Sequence, residues 1–166
     1  METKPGLGRA VLAFFVKNGQ VLLALKKQKI GAGLLNGYGG EIEKGETPTA
    51  AIIREVRQEC GVKLILNSLI ERGMIRFHNP KPGGKVFVCE VCMFVVTDWQ
   101  GSPKESDEMG KPEWFPIDDL PFSKMMVADK LWLPYVLDLK KEGQLEGDVC
   151  YSPEQKKVEN HVLLTR

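Results

Sequence analysis

The hydrophobic positions near the start of the chain predict two strands joined by a tight turn. Apolar residues dominate Arg9–Val16 and again Val21–Leu25, and the residues between these runs include Asn18 and Gly19. An Asn-Gly pair accepts the positive φ angles that a two-residue hairpin turn requires. The pattern therefore predicts an antiparallel hairpin. A long functional loop is expected over residues 26–46, where no strong hydrophobic period is visible.

The segment after this loop predicts an α-helix from Pro48 to Cys60. Thr47 is a typical N-cap, and proline at position 48 suits the first helical position. Gly61 suits the left-handed conformation that ends many helices. We therefore expect a helix of about three and a half turns with defined ends.

The apolar and acidic residues of this helix fall on neighbouring faces. The apolar stripe consists of Ile52, Ile53, Val56 and Cys60. Glu55, Gln58 and Glu59 lie beside it, at about 100° per residue. Like charges one turn apart repel by a few tenths of a kcal/mol, and a hard divalent cation between them would remove that cost. The alternative is a solvated face in which Arg54 and Arg57 are ordinary neighbours of these glutamates.

The remainder of the chain mixes strands and helix without a regular βαβ rhythm. The further elements expected are strands over 62–77 and 86–97, a helix over much of 128–142 and a short strand pair within 147–165. This order predicts an α+β fold rather than a doubly wound parallel sheet. A chain of 166 residues suits one domain, which we expect to span residues 1–166.

Composition restricts the classes of function. The chain has 23 Lys and Arg against 22 Asp and Glu, a net charge of only +1, which disfavours binding to nucleic acid or membranes through bulk charge. No apolar run reaches the length of a membrane span, and no secretory signal is visible, so we expect a cytoplasmic protein.

The cysteines and tryptophans are expected to be structural. Cys89 and Cys92 are three residues apart on a predicted strand and would point to opposite faces, which disfavours a shared metal ion. Trp114 and Trp132 have apolar neighbours, and both are expected in the core.

The residues from Gly40 to Val62 resemble the signature of the Nudix hydrolases, G-x5-E-x7-R-E-U-x-E-E-x-G-U with U an aliphatic residue. The matching positions are Gly40, Glu46, Arg54, Glu55, Val56, Glu59, Gly61 and Val62. Gln58 departs from the signature, because an amide stands where the family has a glutamate, and an amide lacks the negative charge. The resemblance implies the Nudix fold, a mixed β-sheet sandwiched between α-helices, and hydrolysis of a nucleoside diphosphate linked to another group.

The resemblance also implies a role for each matching residue. Glu55, Glu59 and the carbonyl of Gly39 would hold Mg²⁺, with Mn²⁺ as an alternative, and one of the signature glutamates would help to activate the attacking water. Arg54 would hold Glu46 in a structural ion pair. Gln58 keeps only a neutral oxygen ligand, but because Glu55 and Glu59 retain the core of the site, we expect the enzyme to remain active.

Beyond the signature the chain resembles the branch of the family that hydrolyses oxidised purine nucleoside triphosphates. The similarity extends over roughly residues 8–142 and is strongest in 31–40, 101–109 and 114–122. Within it, Glu108 matches the distant glutamate that completes the metal site. The implied reaction is magnesium-dependent cleavage of 8-oxo-dGTP or a related nucleotide to the monophosphate and pyrophosphate, which sanitises the nucleotide pool.

The same resemblance implies a base pocket. Its residues would be Asn36 and Asp129, which read the base, with Lys26, Phe77 and Met126 around them. Met126 replaces a stacking tryptophan of the branch, Ala128 replaces an aspartate, and Ile30 replaces a phenylalanine. This less aromatic pocket leaves open a Nudix pyrophosphatase for another substrate, ADP-ribose or an undamaged nucleoside triphosphate. Gln58 leaves open a catalytically impaired nucleotide-binding module. The expected partner is a small nucleotide rather than a nucleic acid, and the expected state is a monomer.

Overall fold

The computed structural model describes residues 7–166 of the chain. Its strands and helices are β1 (Leu7–Lys17), β2 (Gln20–Leu25), β3 (Leu35–Asn36), β4 (Tyr38–Glu41), α1 (Pro48–Cys60), β5 (Lys63–Leu64), β6 (Leu69–Pro80), β7 (Val86–Val96), β8 (Trp99–Gln100), β9 (Glu113–Pro116), α2 (Asp129–Leu137), β10 (Leu145–Tyr151) and β11 (Val158–Thr165). Short 3-10 turns lie at Leu66–Ser68, Phe122–Lys124 and Pro153–Gln155. Among the described residues, neither helix has the length and apolar character needed to cross a membrane.

A mixed sheet forms the centre of the molecule. Its main path runs β11-β10-β6-β7-β1-β2-β3, with β4 paired to β1 and β9 paired to β2. Strand β1 lies parallel to β7, and β10 lies parallel to β6, whereas the other pairs are antiparallel. Strands β5 and β8 form a separate two-stranded sheet.

The two helices cover opposite faces of this sheet. Along β1, Ala13 and Phe15 face the core that includes Ile52 of α1. Phe14 faces the opposite way, into the core that includes Trp132 of α2. This alternation is the period-two geometry of a strand buried on both faces. The predicted α+β sandwich is therefore confirmed.

The local signals for the first hairpin and for α1 are confirmed. Asn18 and Gly19 have φ angles of 53° and 73°, as a tight hairpin turn requires. The Thr47 side chain accepts a 3.1 Å hydrogen bond from the amide of Ala50. Gly61 ends the helix with φ at 76° in the left-handed region.

Several expected boundaries were wrong because they depend on long-range partners. Residues 26–46 are not one loop, since β3 pairs with β2 and β4 pairs with β1. The segment 62–77 is not one strand, because a 3-10 turn separates β5 from β6. Helix α2 covers Asp129–Leu137, which agrees with a helix over much of 128–142, although it stops before residue 142. Trp114 lies at the surface with 39% of its area exposed and is not a core residue.

A buried arginine explains where α2 ends. Arg72 lies at an irregularity in the β6–β7 pairing and is only 4% exposed. Its guanidinium donates hydrogen bonds of 3.0 to 3.2 Å to the carbonyls of Tyr135, Val136, Asp138, Lys141 and Gly143. The last carbonyls of a helix lack internal partners and carry partial negative charge. Arg72 therefore satisfies the carbonyl end of α2 and ties this helix to the sheet.

We predict that Arg72→Lys lowers the free energy of unfolding by about 2–3 kcal/mol, because an ammonium cannot satisfy the same buried carbonyls. Urea unfolding monitored by circular dichroism measures the change. Arg57→Lys, at an exposed position of α1, is the matched control and should change stability by less than about 0.5 kcal/mol. Equal stability of the two variants would contradict the anchoring role of Arg72.

Candidate active site

Three glutamates converge at one end of α1. One carboxylate oxygen from each of Glu55, Glu59 and Glu108 lies within 4.8 Å of the others. Glu55 and Glu59 are one turn apart on the helix and are 9% and 4% exposed. Glu108 belongs to the loop between β8 and β9. The structure thus brings together glutamates that are widely separated in the sequence.

The loop that carries Glu108 is fixed by its neighbours. Met109 is 1% exposed and packs in the core on the α1 side of the sheet. The carbonyl of Glu108 accepts a 3.0 Å hydrogen bond from the amide of Lys27, and the amide of Gly110 donates to the carbonyl of Leu25 at 2.8 Å. These contacts extend the edge of β2 by a short bridge, so the backbone beside Glu108 is held in place.

Two glycines allow β4 to approach the carboxylates. The amide of Gly39 donates a 2.7 Å hydrogen bond to Oε1 of Glu59. A Cβ atom at position 40 would lie 2.5 Å from the carboxylate carbon of Glu55, and one at position 39 would lie 1.9 Å from the carbonyl oxygen of Val11. Both distances are too short for any side chain. The glycine backbone therefore forms one wall of the carboxylate cluster.

Arg54 holds two carboxylates at once. Its guanidinium donates to both oxygens of Glu46 at 2.8 and 2.9 Å, which is the ion pair that the resemblance implies. The same group donates to Glu55 at 2.7 Å and to the carbonyl of Glu41 at 2.9 Å. The hydrogen bonds from Arg54 lower the pKa of Glu46 to about 2. Arg54 thus fixes the orientation of Glu55 at the edge of the cluster.

Burial and mutual repulsion hold the pKa values of Glu55 and Glu59 high. The pKa of Glu59 is raised to about 8, chiefly by burial and then by the charges of Glu55 and Glu108. The pKa of Glu55 is also raised by burial, although Arg54 opposes this effect. Among the described residues, Glu59 and Glu108 form no ion pair with a basic side chain. A compact set of carboxylates with this unbalanced charge suits a divalent cation, which prefers oxygen ligands.

Gln58 is exposed on the outer side of α1. Its Oε1 accepts a long hydrogen bond of 3.4 Å from Arg54. The same Arg54 nitrogen donates to Glu55, one of the three glutamates that converge.

A second group of polar atoms lies on the α2 side of the sheet. Asp129, the first residue of α2, is 3% exposed, and its Oδ2 has no hydrogen-bond partner among the described residues. Burial raises the pKa of Asp129 to about 8. Trp132, one turn later, is 2% exposed, and its indole nitrogen also lacks a partner there. Buried polar atoms are nearly always hydrogen-bonded in proteins, so Asp129 Oδ2 and the Trp132 indole nitrogen are candidate contacts for a ligand.

Sequence reasoning assigned Trp132 to the core and missed its polar atom. The residue is buried as expected, but its unpartnered N–H lies on the helix that begins with Asp129. The spacing of three residues between Asp129 and Trp132 was the available signal, because such residues are neighbours on a helix.

The other expected pocket residues fall near this group or near the loop before β3. Phe77 packs in the α2-side core, with ring centroids 6.1 Å from Tyr151 and 6.2 Å from Trp132. A Cβ atom at Gly31 would lie 3.6 Å from both Lys26 Cδ and Met126 Sδ, so these two side chains flank the same glycine. The ammonium of Lys26 donates to a backbone carbonyl at 2.7 Å, and burial lowers its pKa.

Asn36 lies on β3, opposite Ala24 of β2. Its Oδ1 accepts a 2.8 Å hydrogen bond from the amide of Gly37, which fixes the side chain. Ile30, where the resemblance has an aromatic residue, is 42% exposed, and Ala128 is fully buried. The aromatic side chains on the α2 side of the sheet come instead from Phe77 of β6, Trp132 of α2 and Tyr151 of β10.

Comparison with known proteins agrees with this geometry. Residues 6–136 match the NUDIX domain. Over 130 residues the chain is 41% identical to the oxidized purine nucleoside triphosphate hydrolase of Danio rerio, a match that covers 78% of this chain and 80% of that protein. The protein of the same name from Mus musculus is 37% identical over 122 residues, or 74% of each chain.

The fold also matches a solved structure along nearly its whole length. A crystal structure of the mutator MutT protein from Bacillus halodurans aligns with a TM-score of 0.76 and 25% identity, covering 94% of this chain and 97% of that one. Glu55 and Glu59 of the signature lie on α1, where the backbone of Gly39 contacts Glu59, and residues 6–136 match the domain. The chain is therefore a member of the Nudix hydrolase family.

Proposed function

We propose that this protein hydrolyses oxidised purine nucleoside triphosphates of the 8-oxo-dGTP type to the nucleoside monophosphate and pyrophosphate. Such a reaction removes damaged precursors from the nucleotide pool and so avoids DNA damage. The observation that carries the proposal is the convergence of Glu55, Glu59 and Glu108 within 4.8 Å. The relatives from Danio rerio and Mus musculus, which are named for hydrolysis of oxidised purine nucleoside triphosphates, support the choice of substrate.

The glutamate cluster and the carbonyl of Gly39 would hold Mg²⁺, with Mn²⁺ as an alternative. A divalent cation bound there would neutralise phosphate charge and make the attacking water more acidic. Arg54 keeps the Glu55 carboxylate in one orientation through its 2.7 Å hydrogen bond, and the Gly39 amide does the same for Glu59. One of these two α1 carboxylates accepts the proton of the attacking water.

Asp129 and Trp132 account for recognition of a purine. With a pKa of about 8, the buried Asp129 carboxyl is mostly protonated at neutral pH, so it can donate a hydrogen bond as well as accept one. The Trp132 N–H supplies a second donor one turn away. Asn36 adds an amide, and Phe77, Met126 and Lys26 complete the surroundings of the base. A hydrogen-bonding site of this kind discriminates strongly against bases that leave its buried groups unpaired.

A Nudix pyrophosphatase that acts on ADP-ribose or an undamaged nucleoside triphosphate is the second candidate. The observation in its favour is Ile30, whose carbonyl accepts a hydrogen bond from Lys26. Its side chain is exposed and aliphatic, so this side of the proposed base pocket lacks an aromatic residue for stacking on a base. A catalytically impaired nucleotide-binding module is the third, and it rests on the amide of Gln58.

The proposal includes a cytoplasmic location and a monomeric state. All four cysteines are free thiols, which is typical of a reducing compartment. A single chain is enough to form the proposed metal site and base pocket, because all of their candidate residues come from this chain.

The first prediction of this proposed function concerns the reaction products. Purified protein with Mg²⁺ should convert 8-oxo-dGTP to 8-oxo-dGMP and pyrophosphate much faster than it cleaves dGTP, 2-hydroxy-dATP or ADP-ribose. Ion-exchange chromatography of the four reactions in parallel measures this. Turnover of ADP-ribose alone would replace the proposal by the second candidate, and an absence of turnover on all four would support the third.

The second prediction concerns the metal. At neutral pH the buried Glu59 carboxyl, whose pKa is raised to about 8, must take up a proton when the metal-free protein folds. Glu59→Gln removes that cost, so the metal-free variant should be more stable than wild type by roughly 1 kcal/mol. Mg²⁺ at about 100 times its Kd should add about 2.7 kcal/mol to wild type, and far less to Glu59→Gln. Thermal unfolding with EDTA or Mg²⁺ measures both effects. Glu71→Gln, at an exposed position of β6, is the control and should respond to Mg²⁺ like wild type.

The variant Gln58→Glu distinguishes a tolerated amide from an impaired site. Its turnover of 8-oxo-dGTP is compared with that of wild type by the same ion-exchange chromatography of products. Because the three glutamates converge without Gln58, we expect this variant to change turnover by only a few-fold. A large gain in turnover would show instead that the natural site is impaired.

The third prediction concerns pH. The pKa of Asp129 rises from an ordinary value of 3.8 to about 8 on folding, so the folded state prefers the protonated form. The wild-type free energy of unfolding therefore loses up to about 1.4 kcal/mol per pH unit from this group as pH rises between those values. Asp129→Asn abolishes that loss, so its stability relative to wild type should increase with pH over this window. Urea unfolding in EDTA at several pH values measures the difference. Asp118→Asn, at an exposed position, is the control, and a parallel pH dependence of all three proteins would refute the burial of a neutral carboxyl.

A further inference from the structure

An aromatic stack runs from the core to the surface on the α1 side of the sheet. Buried Phe15 packs against Trp99 with ring centroids 4.9 Å apart and planes 25° apart. Trp99 in turn packs against Trp114 at 6.1 Å and 26°. Trp114 is the outermost ring and is 39% exposed. The stack thus fixes an indole face at the surface, where a planar ligand can stack on it.

Two adjoining cavities open beside this indole. One has a volume of about 500 Å³, with Lys104 and Lys111 in its wall together with Trp114. The other has a volume of about 380 Å³ and includes Lys17 and Trp99. Ser102, Pro103 and Trp114 line both cavities. Both are open clefts at the surface rather than enclosed cavities, with room for a small ligand.

The charge around these cavities is positive. Glu105 also lines the larger cavity, but its carboxylate pairs with Lys27 at 2.7 Å. Across residues 7–166, Lys104, Lys111 and Lys17 form no ion pair. Unpaired ammonium groups next to an exposed indole combine a stacking surface with an attraction for anions.

This site is separate from the proposed base pocket. Trp114 lies opposite Leu22 on the neighbouring strand, and Leu22 belongs to the α1-side core and lines the larger cavity. Asp129 and Trp132 belong to α2, which covers the opposite face of the sheet. A ligand bound at Trp114 would therefore leave the base pocket open.

We propose that the Trp114 cavities bind a second nucleotide, a nucleoside monophosphate whose base stacks on the indole and whose phosphate lies among the lysines. Aromatic stacking accepts every base, and the lysines require a phosphate. A single nucleotide fits better than a nucleic-acid strand, because three lysines and a net charge of +1 provide no extended basic track. This proposal does not depend on the reaction catalysed at the glutamate cluster.

The test uses the full chain in EDTA, which suppresses hydrolysis, and titrates it with AMP. Adenine differs from the base expected at Asp129. Two-dimensional ¹H–¹⁵N NMR follows the backbone amides of Ser102, Lys104 and Lys111 and the indole N–H of Trp114. We expect saturable shifts at these positions. Adenosine should cause weaker shifts at the same indole, because it stacks without a phosphate.

Variants separate the stacking from the charge. Trp114→Leu should weaken AMP binding by about tenfold to a hundredfold, whereas Trp114→Phe should retain most of it. The double variant Lys104→Gln/Lys111→Gln should weaken AMP but leave adenosine unchanged. Lys140→Gln, an exposed lysine beyond α2, is the control and should bind AMP like wild type. If Trp114→Leu does not fold, the lysine double variant decides the question.

Two results would overturn the proposal. In the first, AMP shifts only residues of the base pocket, such as Asn36 and Met126, or shifts no residue at millimolar concentration. In the second, a thymidine oligonucleotide shifts the Trp114 indole and AMP does not, which would assign the surface to single-stranded nucleic acid. Loss of hydrolytic activity on every nucleotide would leave this test unaffected.

Discussion

The close approach of β4 to the carboxylate face of α1 is the contact on which the rest of the site depends. Strand β4 lies between β1 and the helix, and a side chain at position 39 or 40 would collide with the β1 backbone or with Glu55. Because glycine occupies both positions, the Gly39 amide reaches Glu59 at 2.7 Å. Helix α1 can then pack its apolar stripe on the sheet while its glutamates meet the glycine backbone. The buried negative charge that results is tolerable only with protons or a cation present.

Two arginines stabilise the two halves of the molecule in different ways. Arg54 forms ion pairs with both Glu46 and Glu55, whereas Glu59 and Glu108 have no basic partner among residues 7–166. Within the described part of the chain Arg72 has no carboxylate partner, and it instead satisfies five carbonyls in and after the last turn of α2. The first arrangement concentrates negative charge beside β4. The second fixes the helix that begins with Asp129, so a residue on β6 positions the proposed base pocket.

Short-range signals predicted much of the fold and half of the candidate site. Asn18-Gly19, Thr47 and Gly61 act on the residues next to them, and each has the conformation that the sequence indicates. Glu55 and Glu59 lie one turn apart on any helix, so their convergence follows from local geometry. The placement of Glu108 beside them required the family resemblance, because no local rule connects residue 108 with residue 59. In the structure, the buried Met109 and the bridge to β2 hold Glu108 there.

The sequence by itself determined the ends of α1, the first hairpin and the spacing of the helical glutamates, because these depend on backbone preferences within a few residues. Only the tertiary structure decided the strands within 26–46, the end of α2 and the environments of Asp129 and Trp114. β4 is a strand because β1 supplies its hydrogen bonds, and α2 ends where Arg72 from β6 binds its carbonyls. Asp129 is buried with its Oδ2 unpartnered among residues 7–166, and Trp114 is exposed, although both have apolar neighbours in the sequence. Burial depends on which surfaces meet, and that information is spread over the whole chain.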